Sequence, residues 1–180
     1  LLQPDGSYKP WHGYVFQAAQ LGADGGLARY RLLMRPWLAL LEQRLAREKI
    51  AARVVNASIS GDTTSGGRSR LPALLAQHQP THVILELGGN DALRGLPLTM
   101  TQDNLSTMAR AAKNSGARVL VTGMQIPPNY GRKYSEEFSA LFAAVSKSEG
   151  AALVPCLLKG VADIADSEEK MFQADRIHPK

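Results

Sequence analysis

Short apolar runs alternate with amphipathic stretches along the chain from about residue 36 onward. Trp37, Leu41 and Leu45 recur at the four-residue spacing of one helical face, directly after a proline that suits a first helical turn. Apolar positions at the same spacing predict further helices around residues 71–79, 105–112 and 138–145. Runs of β-branched and other apolar residues predict strands at residues 53–57, 81–87, 118–122 and 152–155.

The predicted strands begin roughly every 30 to 36 residues, which is the length of a strand–helix–strand unit. Continuous apolar strands joined by helices are typical of a parallel sheet that helices cover on both faces. The pattern therefore predicts an α/β fold, a three-layer α/β/α sandwich with a central parallel sheet, in one domain over residues 1–180. Residues 1–35 fit less well, because Gln17 and Gln20 interrupt the apolar run that a buried first strand would need.

The composition is ordinary for a globular protein, with 44% of the 180 residues hydrophobic and 21% charged. The net charge is +5, but the basic residues are scattered and not interleaved with aromatic ones, so no nucleic-acid partner is expected. No apolar run approaches the roughly 20 residues that span a bilayer, so no stable membrane insertion is expected. The single cysteine, Cys156, excludes an internal disulfide and a cysteine-rich metal site.

Two polar segments follow predicted strands, and a third lies near the C-terminus of the chain. A parallel α/β sheet places its site beyond the carboxyl ends of its strands, so residues that directly follow strands are candidates for the site. In residues 56–64 (Asn-Ala-Ser-Ile-Ser-Gly-Asp-Thr-Thr), Gly61 allows the backbone to present an N–H to a ligand. In residues 86–91 (Glu-Leu-Gly-Gly-Asn-Asp), a strand ends in two glycines and the amide of Asn90, which can donate a hydrogen bond. Near the C-terminus, Asp175 lies three residues before His178, so a carboxylate can orient an imidazole for proton transfer.

Taken singly, each of these segments is more typical of a turn, a helix cap or a surface helix than of a catalytic group. Their joint occurrence in this order, each after a strand or in a terminal loop, reverses that preference and favours a functional site. The three blocks together resemble the SGNH (GDSL-type) hydrolase family, and within it the bacterial thioesterase, lysophospholipase and arylesterase subgroup. The resemblance extends over residues 36–179 and includes residues 70–75 and 127–131.

The resemblance implies a flavodoxin-like fold and an enzyme that hydrolyses small-molecule acyl esters or thioesters without a cofactor or a metal. Gly61 would supply a backbone N–H, and Asn90 a side-chain N–H, to the oxyanion. His178 would be the general base, and Asp175 would orient it. The cleft for the acyl chain would be bordered by Leu93, Leu96, Pro128 and Tyr130. The subgroup further implies a monomer or weak oligomer in the periplasm or outside the cell, although no signal-peptide pattern is present.

The family's first block ends in Gly-Asp-Ser, and this chain contains no serine between Ser7 and Ser58. The nucleophile is therefore unassigned, with Ser7 as a candidate that lacks an apolar strand ahead of it. The final helix that the family adds after the His-Pro pair is also expected to be absent, since the chain stops at Lys180. Two alternatives remain open: a catalytically impaired protein with this fold, and a carbohydrate O-acetylesterase that uses the same constellation.

Overall fold

A parallel β-sheet with helices between its strands forms the part of the chain that the computed structural model describes, namely residues 11–17, 35–59, 61–126 and 130–159. The strands are β1 (Trp11–Gln17), β2 (Ala52–Asn56), β3 (His82–Glu86), β4 (Arg118–Thr122) and β5 (Ala152–Val154). The helices are α1 (Arg35–Arg47), α2 (Thr64–His78), α3 (Gly89–Leu93), α4 (Leu98–Asn114) and α5 (Arg132–Glu149). No helix within these ranges is long and apolar enough to cross a bilayer.

The strand order in the sheet is β2-β1-β3-β4-β5, and every neighbouring pair is parallel. In the centre, Val15 of β1 pairs with Asn56 of β2 on one side and with Ile84 of β3 on the other. The chain therefore moves outward from β1 in one direction to β2 and in the other direction to β3. In open parallel sheets, the crevice beyond the carboxyl ends at such a reversal is where ligands bind.

Strand β1 corrects one expectation from the sequence. The glutamines at positions 17 and 20 predict a poor first strand within residues 1–35, yet Trp11–Gln17 is a central strand with a neighbour on each side. Its tyrosine, valine and phenylalanine are residues that favour strands. Gln17 is the last residue of the strand, where it pairs with Glu86, so it does not interrupt the ladder.

The hydrophobic core lies on one face of the sheet. Val83, Leu85 and Leu87 alternate along and just beyond β3, and all three are completely buried. Helices α2, α4 and α5 cover this face with the buried side chains Leu71, Leu75, Leu105, Met108, Ala109, Ala112, Phe138, Leu141, Phe142 and Val145. Helix α1 packs against β2. The predicted helical faces around residues 105–112 and 138–145 are confirmed by this arrangement.

The helix predicted from Leu71 begins seven residues earlier than expected, at Thr64. Pro72 suits a first helical turn but lies inside α2. The true N-terminus is capped by Thr63, whose Oγ1 accepts a hydrogen bond from the Gly66 N–H at 3.4 Å. This start places the polar end of α2 at the carboxyl edge of the sheet, directly after the loop that carries Gly61.

Replacing Gly123 with alanine is expected to lower the free energy of unfolding by about 1–3 kcal/mol. The added Cβ would lie 2.2 Å from the carbonyl oxygen of Pro155, where the end of β4 meets the chain after β5. Because the obstructing atom belongs to the backbone, the two segments would have to separate and would strain the Gly123 N–H to Val154 O bond. Urea unfolding measures the change. Gly89→Ala is the matched control, because its Cβ would only reach Met124 Sδ at 3.4 Å, and an equal loss in the two variants would contradict the prediction.

Candidate active site

Two loops flank the carboxyl end of β1. Residues 57–63 follow β2 on one side, and residues 87–93, which include α3, follow β3 on the other. Because β2 and β3 each pair with β1 and not with each other, no backbone ladder joins these loops. The sheet fixes where each loop begins, and side chains that cross between the loops hold them together beyond the strand ends.

The loop after β2 places Gly61 in a tight turn. Gly61 has φ +77°, a conformation that residues with a Cβ rarely adopt, and the Asp62 N–H closes the turn on the Ile59 carbonyl at 3.2 Å. Arg70 of α2 holds the loop at two points, donating to the Ala57 carbonyl at 3.0 Å and forming an ion pair with Asp62. No acceptor among the described residues bonds the Gly61 N–H. The loop thus presents a backbone donor from a conformation that its own contacts restrain.

Asn90 lies at the start of α3 and is 1% exposed. Its Nδ2 donates to the Asp62 carbonyl at 3.0 Å, which orients the amide toward the loop that contains Gly61. An amide nitrogen carries two hydrogens, so one remains for a ligand. The Oδ1 atom of Asn90 is buried and finds no donor within the described ranges. Asn90 is therefore a desolvated, oriented amide at the crevice where the sheet topology places a site.

Two further residues, one in α3 and one directly after it, bind the chain between Gly61 and the start of α2. The buried carboxylate of Asp91 accepts from the Thr64 N–H at 2.9 Å and from the Thr64 hydroxyl at 2.5 Å. Arg94, which is exposed, donates to the Gly61 carbonyl at 2.9 Å. Together with Asn90, these contacts connect the two loops from the buried interior to the surface. The sequence motifs include Asp91 and Thr64, but nothing in the sequence indicates that they bind each other.

Apolar residues follow Asn90 in the chain and also occur in the loop after β4. Leu93 and Leu96 are half-buried, and Tyr130 is 37% exposed in the loop after β4. The hydroxyl of Tyr134, a residue without a signal in the sequence, donates to the carbonyl oxygens of Ala92 and Leu96 at 3.4 and 3.3 Å. Burial, with contributions from Asp91 and Tyr130, raises the pKa of Tyr134, so its hydroxyl stays protonated as a donor. Tyr134 thereby fastens the start of α5 to the segment that carries Leu93 and Leu96.

Several predicted site residues lie outside the described residues: Ser7, Pro128, Asp175 and His178. Their roles remain predictions. Among the residues that the structure does describe, no group of three or more histidine, cysteine, aspartate or glutamate side chains could hold a metal ion. The structure brings together the segments of Gly61 and Asn90, because Asn90 bonds the carbonyl of Asp62, the residue after Gly61. Leu93 and Leu96 follow Asn90 within six residues of the chain.

A sequence model of the GDSL-like lipase/acylhydrolase family matches residues 18–180. The chain belongs to this family. It is 54% identical over 143 residues to the esterase TesA of Pseudomonas aeruginosa, a match that covers 79% of this chain and 69% of that protein. It is 41% identical over 157 residues to thioesterase 1/protease 1/lysophospholipase L1 of Escherichia coli K12, covering 87% of this chain and 72% of the relative.

Solved structures agree with the family assignment. The crystal structure of AlinE4, an esterase of the SGNH-hydrolase family, superposes with a TM-score of 0.73 at 34% identity and covers 97% of this chain and 89% of its own. The predicted three-layer α/β/α sandwich and the predicted SGNH-type family of ester hydrolases are therefore confirmed. The segments that carry Gly61 and Asn90 bring polar groups together at the carboxyl ends of the strands, where the chain reverses its direction across the sheet.

Proposed function

We propose that the protein hydrolyses carboxylic esters and thioesters of small acyl substrates by nucleophilic catalysis. The observation that carries the proposal is the buried amide of Asn90, which its bond to the Asp62 carbonyl aims at the loop of Gly61. Two donors beside a desolvated crevice are what a tetrahedral oxyanion requires. The relatives named esterase and thioesterase support the same substrate class.

In the proposed reaction, a serine oxygen attacks the acyl carbonyl while His178 takes the serine proton and Asp175 stabilises the imidazolium. The carbonyl electrons move to oxygen, where the Gly61 N–H and one hydrogen of Asn90 Nδ2 hold the negative charge. The oxyanion then collapses and expels an alcohol or a thiol, which receives the proton from His178. Water releases the acyl group by the same sequence of steps. The serine is the role that the sequence leaves unassigned, with Ser7 as the candidate.

The apolar residues at the same edge support an acyl chain as the substrate's non-reacting part. The described residues Leu93, Leu96 and Tyr130 are the ones proposed to border the acyl cleft, a role that the family resemblance also gives to Pro128, and the exposed Ile59 lies in the loop after β2. Exposed apolar side chains near a polar crevice are typical of a site that binds an amphipathic ligand. We therefore expect p-nitrophenyl butyrate to be a better substrate than p-nitrophenyl acetate by kcat/KM.

Hydrolysis and active-site labelling test the proposal together. The full chain is assayed on p-nitrophenyl butyrate against a buffer blank, and it is treated with a fluorophosphonate, which modifies activated serines covalently. We expect hydrolysis above the blank, and peptide mass spectrometry should find the label on one serine. Loss of activity should follow the extent of labelling. A folded protein that neither hydrolyses the ester nor takes up the label would contradict the proposal and would identify a catalytically impaired member of the family.

A further inference from the structure

A buried polar cluster lies behind the two proposed oxyanion donors. It consists of Thr64 on α2, Asp91 on α3 and Asn104 on α4, each less than 5% exposed. Asp91 accepts two hydrogen bonds from Thr64, one from its backbone and one from its hydroxyl. The Thr64 hydroxyl in turn accepts from Asn104 Nδ2 at 3.0 Å. A carboxylate that is completely removed from water is costly unless such bonds satisfy it.

The cluster adjoins both donors along the chain. Asp91 directly follows Asn90, and Thr64 ends the loop that begins to turn at Gly61. Because β1 lies between β2 and β3, the sheet fixes the ends of these strands roughly 10 Å apart but forms no hydrogen bond between the two loops beyond them. The bonds between Asp91 and Thr64 are the fully buried ones that cross between them. Of the other crossing contacts, the bond from Arg94 to the Gly61 carbonyl is exposed, so water can replace it readily, and the bond from Asn90 to the Asp62 carbonyl is partly buried.

We propose that Asp91, acting through the Thr64 hydroxyl, is a positioning residue that sets the spacing of the Gly61 N–H and the Asn90 amide. The inference rests on the proposed function, since spacing matters only if both donors bind one oxyanion. A hydroxyl that donates to a carboxylate forms a charge-assisted bond, stronger than one between neutral groups, and the Thr64 hydroxyl donates to Asp91 in this way. Loosening it lets the first turn of α2, and with it the Gly61 loop, move away from α3.

The alternative is a purely structural role. An acidic side chain at a helix N-terminus stabilises the helix, and losing such a contact would lower stability without a specific effect on catalysis. The two roles differ in their effect on kcat. A displaced donor weakens transition-state binding and lowers kcat, whereas a merely less stable but folded enzyme keeps its kcat at low temperature.

Thr64→Val separates the two roles, because it removes the hydroxyl and keeps the volume and the backbone N–H. We expect kcat for ester hydrolysis to fall about tenfold with little change in KM, since small misplacements of catalytic groups are costly. Thr64→Ser restores the hydroxyl and should recover most of kcat. The matched control is Ser146→Ala, which removes another buried hydroxyl, bonded to the Ala151 carbonyl at 2.6 Å and remote from the site. Parental kcat is expected in this control.

Three outcomes would overturn the inference: parental kcat in folded Thr64→Val, an effect on KM alone, or an equal fall of kcat in Ser146→Ala. NMR of the ¹⁵N-labelled protein provides a measurement that needs no turnover. In Thr64→Val we expect the Asn90 side-chain amide signals to shift from their parental positions. We also expect the backbone N–H at position 64 to exchange faster than it does in Ser146→Ala. If the parent protein hydrolyses no ester, the proposed function fails, but these signals still test the coupling between the loops. Unchanged signals would disprove that coupling.

Discussion

Replacing Asn90 with alanine is expected to lower kcat for ester hydrolysis about 100- to 1000-fold while KM changes little, as for loss of one oxyanion donor in other acyl-transfer enzymes. Asn90 is 1% exposed, so water cannot enter freely to substitute for its amide. The bond from its Nδ2 to the Asp62 carbonyl holds the amide in place before the substrate arrives. A donor that is already oriented needs no reorganisation when the oxyanion forms.

Asn90→Asp and Asn114→Ala sharpen this test. An ionised aspartate has nearly the same shape but no hydrogen to donate, and its charge would repel the oxyanion, so it should be at least as damaging as alanine. Asn114 is an exposed asparagine at the end of α4, and its replacement should leave kcat unchanged. His178→Ala, assayed in parallel, removes the proposed general base and gives the background rate for comparison. Parental kcat in folded Asn90→Ala would show that the Asn90 amide does not bind the oxyanion.

The parts of the fold that depend on local sequence could be predicted well. The strand at residues 118–122 has the predicted bounds, and the helix predicted around residues 138–145 ends at Glu149, directly before a glycine. There Gly150 has φ 60° and its N–H bonds the Ser146 carbonyl. A glycine in this left-handed conformation ends helices because of its own backbone freedom. Such signals lie within a few residues of the structure that they produce.

The start of α2 could not be predicted in the same way, because one of its stabilising partners is distant in the chain. The Thr64 N–H, which no residue of its own helix can accept, bonds Asp91, 27 residues later. Strand β1 was missed for a related reason. Its pairing with β2 and β3 supplies hydrogen bonds on both edges, and this tertiary gain outweighs the polar residue at its end.

The candidate site shows the same division. Gly61 and Asn90 stand out in the sequence because their residue types suit an oxyanion and follow strands. Asn90 is oriented by a carbonyl 28 residues away in the chain, and the hydroxyl of Tyr134 bonds the segment that carries Leu93 and Leu96 across about 40 residues. Residue types therefore indicated the chemistry, while the supporting contacts required the three-dimensional arrangement. Glu86 is a further example, since its place in the motif gives no sign of its environment.

Replacing Glu86 with glutamine is expected to stabilise the protein at pH 8 by up to about 5 kcal/mol and to have little effect at pH 4. Burial raises the pKa of Glu86 from 4.5 to about 8, and its Oε2 has no hydrogen-bond partner among the described residues. Between pH 4.5 and about pH 8, Glu86 holds a proton in the folded protein that it has released in the unfolded chain. Its free energy of unfolding must therefore fall as the pH rises through this window and level off above it. Glutamine keeps the shape of the protonated acid and removes the titration.

Urea unfolding of the parent and of Glu86→Gln at pH 4, 6 and 8 measures the difference between their pH slopes. His82 also titrates, because burial and Arg118 lower its pKa to about 4, but it is common to both proteins and cancels in the difference. Glu42→Gln, at an exposed position on α1, should follow the parent at every pH. Glu86 lies at the end of β3, four residues before Asn90. The dependence of the free energy of unfolding on pH therefore also reports how far water is excluded from the base of the crevice. Parallel curves for the parent and Glu86→Gln would mean that water or a cation reaches Glu86 in the folded protein.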